Sequence, residues 1–156
     1  VADLEELYRE IILDHYRSPR NRGELASPPA LRAEGFNPLC GDEIVVTLDV
    51  NGGIVDDIKI AGQGCSISQS SASMMSAAVK GKNISEVRKT IATFKTLMSV
   101  HEAQLEESDT PEPEPIDLNA LGELAALQGV VKFPVRIKCA TLSWNTLAQT
   151  LDDAGV

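Results

Sequence analysis

Leu4, Leu7, Tyr8, Ile11 and Ile12 recur at three- and four-residue spacing, which predicts an amphipathic helix over residues 4–17, capped by Asp3 and closed before Pro19. Residues 25–38 hold the breakers Pro28, Pro29, Gly35 and Pro38, so only a short edge strand at 31–34 is expected there. Residues 43–50 and 54–61 are β-rich on either side of Asn51-Gly52-Gly53 and predict a hairpin. After Gly62 and Gly64 the texture turns to Ser, Ala and Met as far as Val79, a second helix that starts beside Cys65 and whose small side chains suit close approach to a sheet.

Ile84, Val87, Ile91, Phe94, Leu97 or Met98, His101 and Leu105 mark a third helix, capped by Asn83 and ending near Glu107. Acid and proline then alternate through Pro115, which reads as an extended, exposed segment at about 108–116. Leu118, Leu121, Leu124 and Leu127 predict a short helix stopped by Gly129. A last helix runs from Arg136 through Leu142, Leu147 and Leu151, with Trp144 in the core. Strands early and helices late imply an α+β fold.

The 156 residues fit one domain spanning 1–156, with 43% apolar and 24% charged residues, enough for a packed core. No apolar stretch is long enough to cross a membrane, and the first residues lack a basic start before an apolar run, so a soluble, unexported chain is expected. A formal charge of -9 disfavours nucleic acid and anionic membranes as partners. Arg17, Arg20, Arg22 and Arg32 form the one basic concentration, either a solvated face or a contact for an acidic partner. His15, near the end of the first helix, reads as a surface residue favoured by the helix dipole, and His101 as helix surface.

Three cysteines cannot pair fully, which points to reduced thiols in a cytoplasmic chain. Their separations of 25 and 74 residues announce no zinc finger, and on spacing alone buried structural thiols are the favoured reading. Context shifts the balance. Cys40 stands in Pro38-Leu39-Cys40-Gly41-Asp42 before a strand, Cys65 follows Gly62-Gln63-Gly64 at a strand-to-helix turn, and Cys139 is expected to open the final helix. A thiol at a helix N-terminus is biased toward the thiolate by free amides and the helix dipole. A turn at Gly41 can aim Cys40 and Asp42 at one ion, and three sulfurs with one oxygen suit tetrahedral zinc. Arg136 and Lys138 flank Cys139 and are candidates to offset the resulting negative charge.

Cys-Gly-Asp at 40–42, Gly-Gln-Gly-Cys-Ser at 62–66 and Arg-Ile-Lys-Cys at 136–139 resemble the IscU/NifU-N/SufU family of iron-sulfur cluster assembly proteins. The flanks at 7–16, 20–23 and 143–145 are similar as well. The resemblance implies a small, mainly antiparallel three-stranded sheet packed against several helices, with a metal site at one tip (SufE/NifU-like). IscU-type scaffolds place His before the third cysteine, whereas this chain has Lys138, and its stretch from Gly81 to Cys139 is longer. Both features resemble the SufU branch.

Phe133-Pro134-Val135-Arg136 replaces the Leu-Pro-Pro-Val-Lys segment read by an Hsp70-type chaperone, so that partnership is not expected. The SufU branch implies zinc on Cys40, Asp42, Cys65 and Cys139. It also implies a SufS-type, pyridoxal-phosphate-dependent cysteine desulfurase as partner, Cys40 as acceptor of its persulfide sulfur, and downstream SUF cluster-assembly proteins as recipients. By analogy, a desulfurase His takes the place of Cys40 on zinc. The protein would then be a co-substrate, not a stand-alone enzyme. A scaffold for a transient [2Fe-2S] cluster and a structural zinc module are the alternatives.

Overall fold

The computed structural model describes residues 2–105 and 121–156. The acidic proline-rich segment, Leu118 and the His101 side chain fall outside the described residues. In chain order the elements are α1 (Ala2–Arg17), β1 (Leu31–Asn37), β2 (Asp42–Asn51), β3 (Ile54–Gln63), α2 (Ser66–Val79), α3 (Ile84–Leu105), a 3₁₀ helix (Gly122–Lys132) and α4 (Pro134–Asp153). The three strands form one antiparallel sheet in the order β1-β2-β3. The expected α+β architecture is therefore present.

Alternation along the strands sets one sheet face against the helices. Ile44, Val46 and Leu48 of β2 and Ile58 and Ile60 of β3 are buried, as are Ala33 and Asn37 of β1, while Arg32, Glu34 and Phe36 face outward. The free edge of β3 is covered by the loop after α1, where Gly23 N–H donates to Ile60 and Ile60 N–H to Asn21, both at 2.9 Å. Gly35 decides how close α4 comes to the sheet. A Cβ there would collide with the Thr146 side chain and stand 3.1 Å from Leu142, so the missing methyl lets α4 lie directly on β1. The centre of the core is the stack of Phe94 on Trp144, with ring centroids 4.5 Å apart.

Several sequence expectations need correction. Asp3 lies inside α1, which begins at Ala2, so it is not the cap, and Leu7 of the expected apolar stripe is exposed. The edge strand is longer than 31–34, because β1 pairs with β2 as far as Asn37↔Asp42. The serines of α2 lie chiefly between helices. Ser71 donates to the Ala140 carbonyl (2.6 Å) and accepts from Trp144 Nε1 (3.1 Å), so they carry hydrogen bonds as well as permitting close approach. Asn83 does cap α3, its Oδ1 accepting the Glu86 amide at 2.8 Å.

The Gly122–Lys132 stretch is a 3₁₀ helix that runs through Gly129. Leu121, Leu124, Leu127 and Val130 are all buried at an unbroken spacing of three, which matches three residues per turn and not 3.6. The last helix starts at Pro134, whose ring tolerates the first turn where no amide partner exists, so Cys139 lies in its second turn and does not open it.

His15 is also not a surface residue. It is 2% exposed, with Nδ1 at 2.8 Å from Ser73 Oγ and Nε2 paired with Glu123 of the 3₁₀ helix, which ties α1, α2 and that helix together. Three of the four arginines are engaged within the chain. Arg20 pairs with Asp14 (2.5 Å), Arg22 donates to the Gly62 carbonyl (3.1 Å), and Arg32 pairs with Glu34 (2.6 Å).

Candidate metal centre

The turn between β1 and β2 carries Cys40 and delivers Asp42 as the first residue of β2, fully buried at the tip of the sheet. Gly41 adopts φ +68°, a left-handed conformation that a glycine takes without strain and that turns the chain between the two side chains. Cys65 is the N-cap of α2, with its sulfur accepting the Ser68 amide at 3.4 Å. Cys139 is supplied by α4 and is 0% exposed.

Both glycines of Gly62-Gln63-Gly64 are needed for close approach at this tip. A Cβ on Gly62, which also has φ +125°, would strike the Glu43 carbonyl, and one on Gly64 would strike the Asp42 carboxylate. That proximity allows Cys65 N–H to donate to Asp42 Oδ1 at 2.9 Å, fixing the start of α2 to the start of β2.

The structure brings Cys40, Asp42 and Cys139 into one group, with one sulfur or carboxylate oxygen from each within 4.8 Å of the others. Cys139 Sγ lies 3.3 Å from Cys40 Sγ. Cys65 is at the rim of this set, close enough to affect the titration of Cys139, with its sulfur turned to the helix amide. Asn37 was not singled out from the sequence. It is buried, and its Nδ2 lies 3.3 Å from Asp42 Oδ2 and 3.7 Å from Cys139 Sγ. Only the packing of α4 against β1 creates its contact with Cys139.

The electrostatics of the tip are dominated by the burial of its sulfur and carboxyl groups. Burial pushes the Cys139 thiol well above the ordinary thiol value, and hydrogen bonding with Asp42, Cys40 and Cys65 raises it further. The exposed Arg136 guanidinium is held above its usual value, first by the charge of Cys65 and then by Cys139. Lys138 is also exposed. Asp42 is a fully buried carboxylate with no cationic partner among the described residues: Oδ1 accepts the Cys65 N–H, Oδ2 accepts from Asn37, and the Cys139 thiol lies beside it. Unpaired buried charge is costly, and a divalent ion among these donors would remove that cost.

The donor set fits zinc. Zn–S bonds of about 2.3 Å in a tetrahedron set neighbouring sulfurs roughly 3.7 Å apart, on the scale of the spacing found here. Among the described residues this is the one cluster of three or more His, Cys, Asp or Glu side chains able to hold a metal. Around it Phe36, Leu39, Phe133 and Val135 are each 60–67% exposed, leaving an apolar rim beside a thiol that is itself partly exposed.

Residues 7–140 match the NifU-like N-terminal domain family. The chain is 47% identical over 146 residues to the zinc-dependent sulfurtransferase SufU of Bacillus subtilis strain 168, covering 94% of this chain and 90% of that one. It is 35% identical over 151 residues to the iron-sulfur cluster assembly scaffold protein IscU of Streptococcus pyogenes serotype M1, covering 97% and 86%. A solved iron-sulfur cluster assembly scaffold protein for the SUF system from Fervidobacterium islandicum AW-1 superposes with a TM-score of 0.74. It shares 28% identity, with 90% of this chain and 93% of that one covered. A NifU-like protein from Brucella abortus shares the fold, at a TM-score of 0.69 and 22% identity over 97% and 96% of the two chains.

Proposed function

Because the chain belongs to the NifU-like N-terminal domain family, we propose that it is a zinc-binding acceptor of persulfide sulfur that serves iron-sulfur cluster assembly of the SUF type. The donor of that sulfur is a cysteine desulfurase of the SufS type, and the recipients are the downstream assembly proteins. The observation that carries this reading is the half-buried Cys40 thiol in contact with buried Cys139 and beside buried Asp42. It is supported by the 47% identity to a zinc-dependent sulfurtransferase. Among the described residues no helix is long and apolar enough to cross a membrane.

Cys40, Asp42, Cys65 and Cys139 would hold the ion, with Arg136 offsetting the charge of the thiolates. When bound, zinc keeps its ligand thiols deprotonated at neutral pH and, being redox-inert, adds no electron transfer of its own. The three sulfurs differ in what they can do. Cys139 is enclosed, and Cys65 is engaged by the Ser68 amide, whereas Cys40 lies on a turn among exposed apolar side chains.

Cys40 is therefore the acceptor. Its thiolate attacks the terminal sulfur of the donor persulfide, the donor S–S bond breaks, and the donor leaves as a thiolate while the new S–S bond forms on Cys40. One two-electron bond replaces another, so no external oxidant is required. The apolar rim at Phe36, Leu39, Phe133 and Val135 offers the surface on which a donor protein can exclude water from this exchange.

The same donors are also those of a scaffold for a transient iron-sulfur cluster, a reading favoured by the 35% identity to an IscU scaffold across nearly the whole chain. Incubation of the zinc-loaded protein with its desulfurase and cysteine separates the two. A mass increase of about 32 Da confined to Cys40, with faster desulfurase turnover, is expected for sulfur acceptance. An unmodified chain that instead assembles a cluster from iron and sulfide without air would establish the scaffold.

A further inference from the structure

Asn37 is the last residue of β1 and faces Asp42 directly across the turn that carries Cys40. It is 6% exposed, and three of its hydrogen-bonding positions are used. The amide nitrogen supplies one hydrogen toward Asp42 Oδ2 (3.3 Å) and one toward Cys139 Sγ (3.7 Å), while Oδ1 accepts the Leu39 N–H at 3.3 Å. Chemistry leaves only this orientation of the amide. The Asp42 carboxylate accepts and the Leu39 N–H donates, so exchanging the amide oxygen and nitrogen would set like against like at both of these contacts, and a metal-bound Cys139 thiolate would likewise take only a donor.

The consequence is that one side chain touches three parts of the centre that come from different places in the chain: the Cys40 turn, the first residue of β2 and the second turn of α4. The contact to Leu39 fixes the peptide just before Cys40. The two N–H groups hold the Asp42 carboxylate and the Cys139 sulfur on the same side as Cys40, and they lower the electron density on Cys139 without adding charge. An aspartate of the same shape would keep the contact to Leu39 but would place a second carboxylate against Asp42 and Cys139.

We propose that Asn37 is a positioning residue of this centre, an uncharged double donor that orients Asp42 and Cys139 toward the metal and sets the Cys40 turn. The assignment rests on the zinc-centre reading above. Outer-sphere partners of this kind typically alter metal affinity by about 10- to 100-fold when removed.

The test is zinc release from Asn37→Asp to excess chromogenic chelator, together with the absorption spectrum of the cobalt(II)-substituted protein. Asn37→Asp should release zinc at least about 10-fold faster than wild type and shift the cobalt thiolate bands, with the far-ultraviolet circular dichroism unchanged. Asn37→Ala, which also loses the Leu39 contact, should release it no more slowly than Asn37→Asp. A folded Asn37→Asp that releases zinc at the wild-type rate with an unaltered cobalt spectrum overturns the assignment. Asn37→Ser provides the same reading, with the same criteria, if Asn37→Asp fails to fold. A wild-type protein that takes up neither zinc nor cobalt overturns the metal centre itself, and the assignment falls with it.

Discussion

A thiol in the second turn of a helix gains little from the free amides at its start, and Cys139 is such a thiol. The sequence names it as a candidate ligand from the local Arg-Ile-Lys-Cys run, and the structure groups its sulfur with Cys40 and Asp42. Its position relative to the helix end cannot be read so easily, since Pro134 starts α4 before Arg136. Burial therefore dominates over the helix dipole, and the thiol is raised instead of lowered.

The sign of the resulting pH dependence follows. In metal-free protein the folded state retains the Cys139 proton at pH values where the unfolded chain releases it. The contribution to stability is complete below the ordinary thiol value of 9.0 and is eroded as pH rises above it. The melting temperature of the metal-free protein should thus fall between about pH 8 and pH 10, and Cys139→Ala should flatten that slope. Equal slopes in the two proteins would show that Cys139 does not govern the alkaline limb. Asn37 and His15 were harder to anticipate, because their decisive partners Cys139 and Glu123 lie 102 and 108 residues away. Local context described a surface histidine and gave no signal at Asn37, and long-range packing made them an internal tie and an internal donor.

At the scale of elements, the helices and the hairpin were legible because apolar periodicity reports which face is buried. The 3₁₀ helix shows how a period can be noticed and still assigned to the wrong pitch. Leucines spaced strictly by three belong to three residues per turn, and on an α-helix they would drift around the axis. Glycine is informative at the junction of β3 and α2. Gly64 is not in a left-handed conformation, so its role is space: it allows the Asp42 carboxylate to approach the start of α2. Gly64→Ala should force these elements apart and cost about 1–3 kcal/mol in a denaturant titration, and it should also weaken zinc retention. Wild-type stability and retention would show that Asp42 and α2 can separate freely.

For the whole molecule, the α+β architecture followed from strands early and helices late, while the arrangement of the layers depended on Gly35 admitting α4 to the sheet. The centre then joins the β1–β2 turn to α4, with α2 fastened to it through the Cys65 amide. An ion held by all of these elements stabilises their arrangement as a unit. Structural zinc carries an apparent binding free energy of about 10–16 kcal/mol, so stripping it with a strong chelator should lower the melting temperature by more than about 10 °C. A melt that stays in place after verified metal loss would mean that apolar packing alone holds the elements together.

Cys40 and Cys139 meet across 99 residues of chain. A nascent chain that has not yet reached Cys139 has the hairpin thiol and carboxylate but no enclosing sulfur, and a collapsed chain with α4 undocked has the sulfurs far apart. Neither can hold the ion firmly, since closing so long a loop without the native packing is entropically unfavourable. On the proposed reading, occupancy of the centre would therefore require that synthesis has passed α4 and that α4 has docked, so the ion would mark a completed fold.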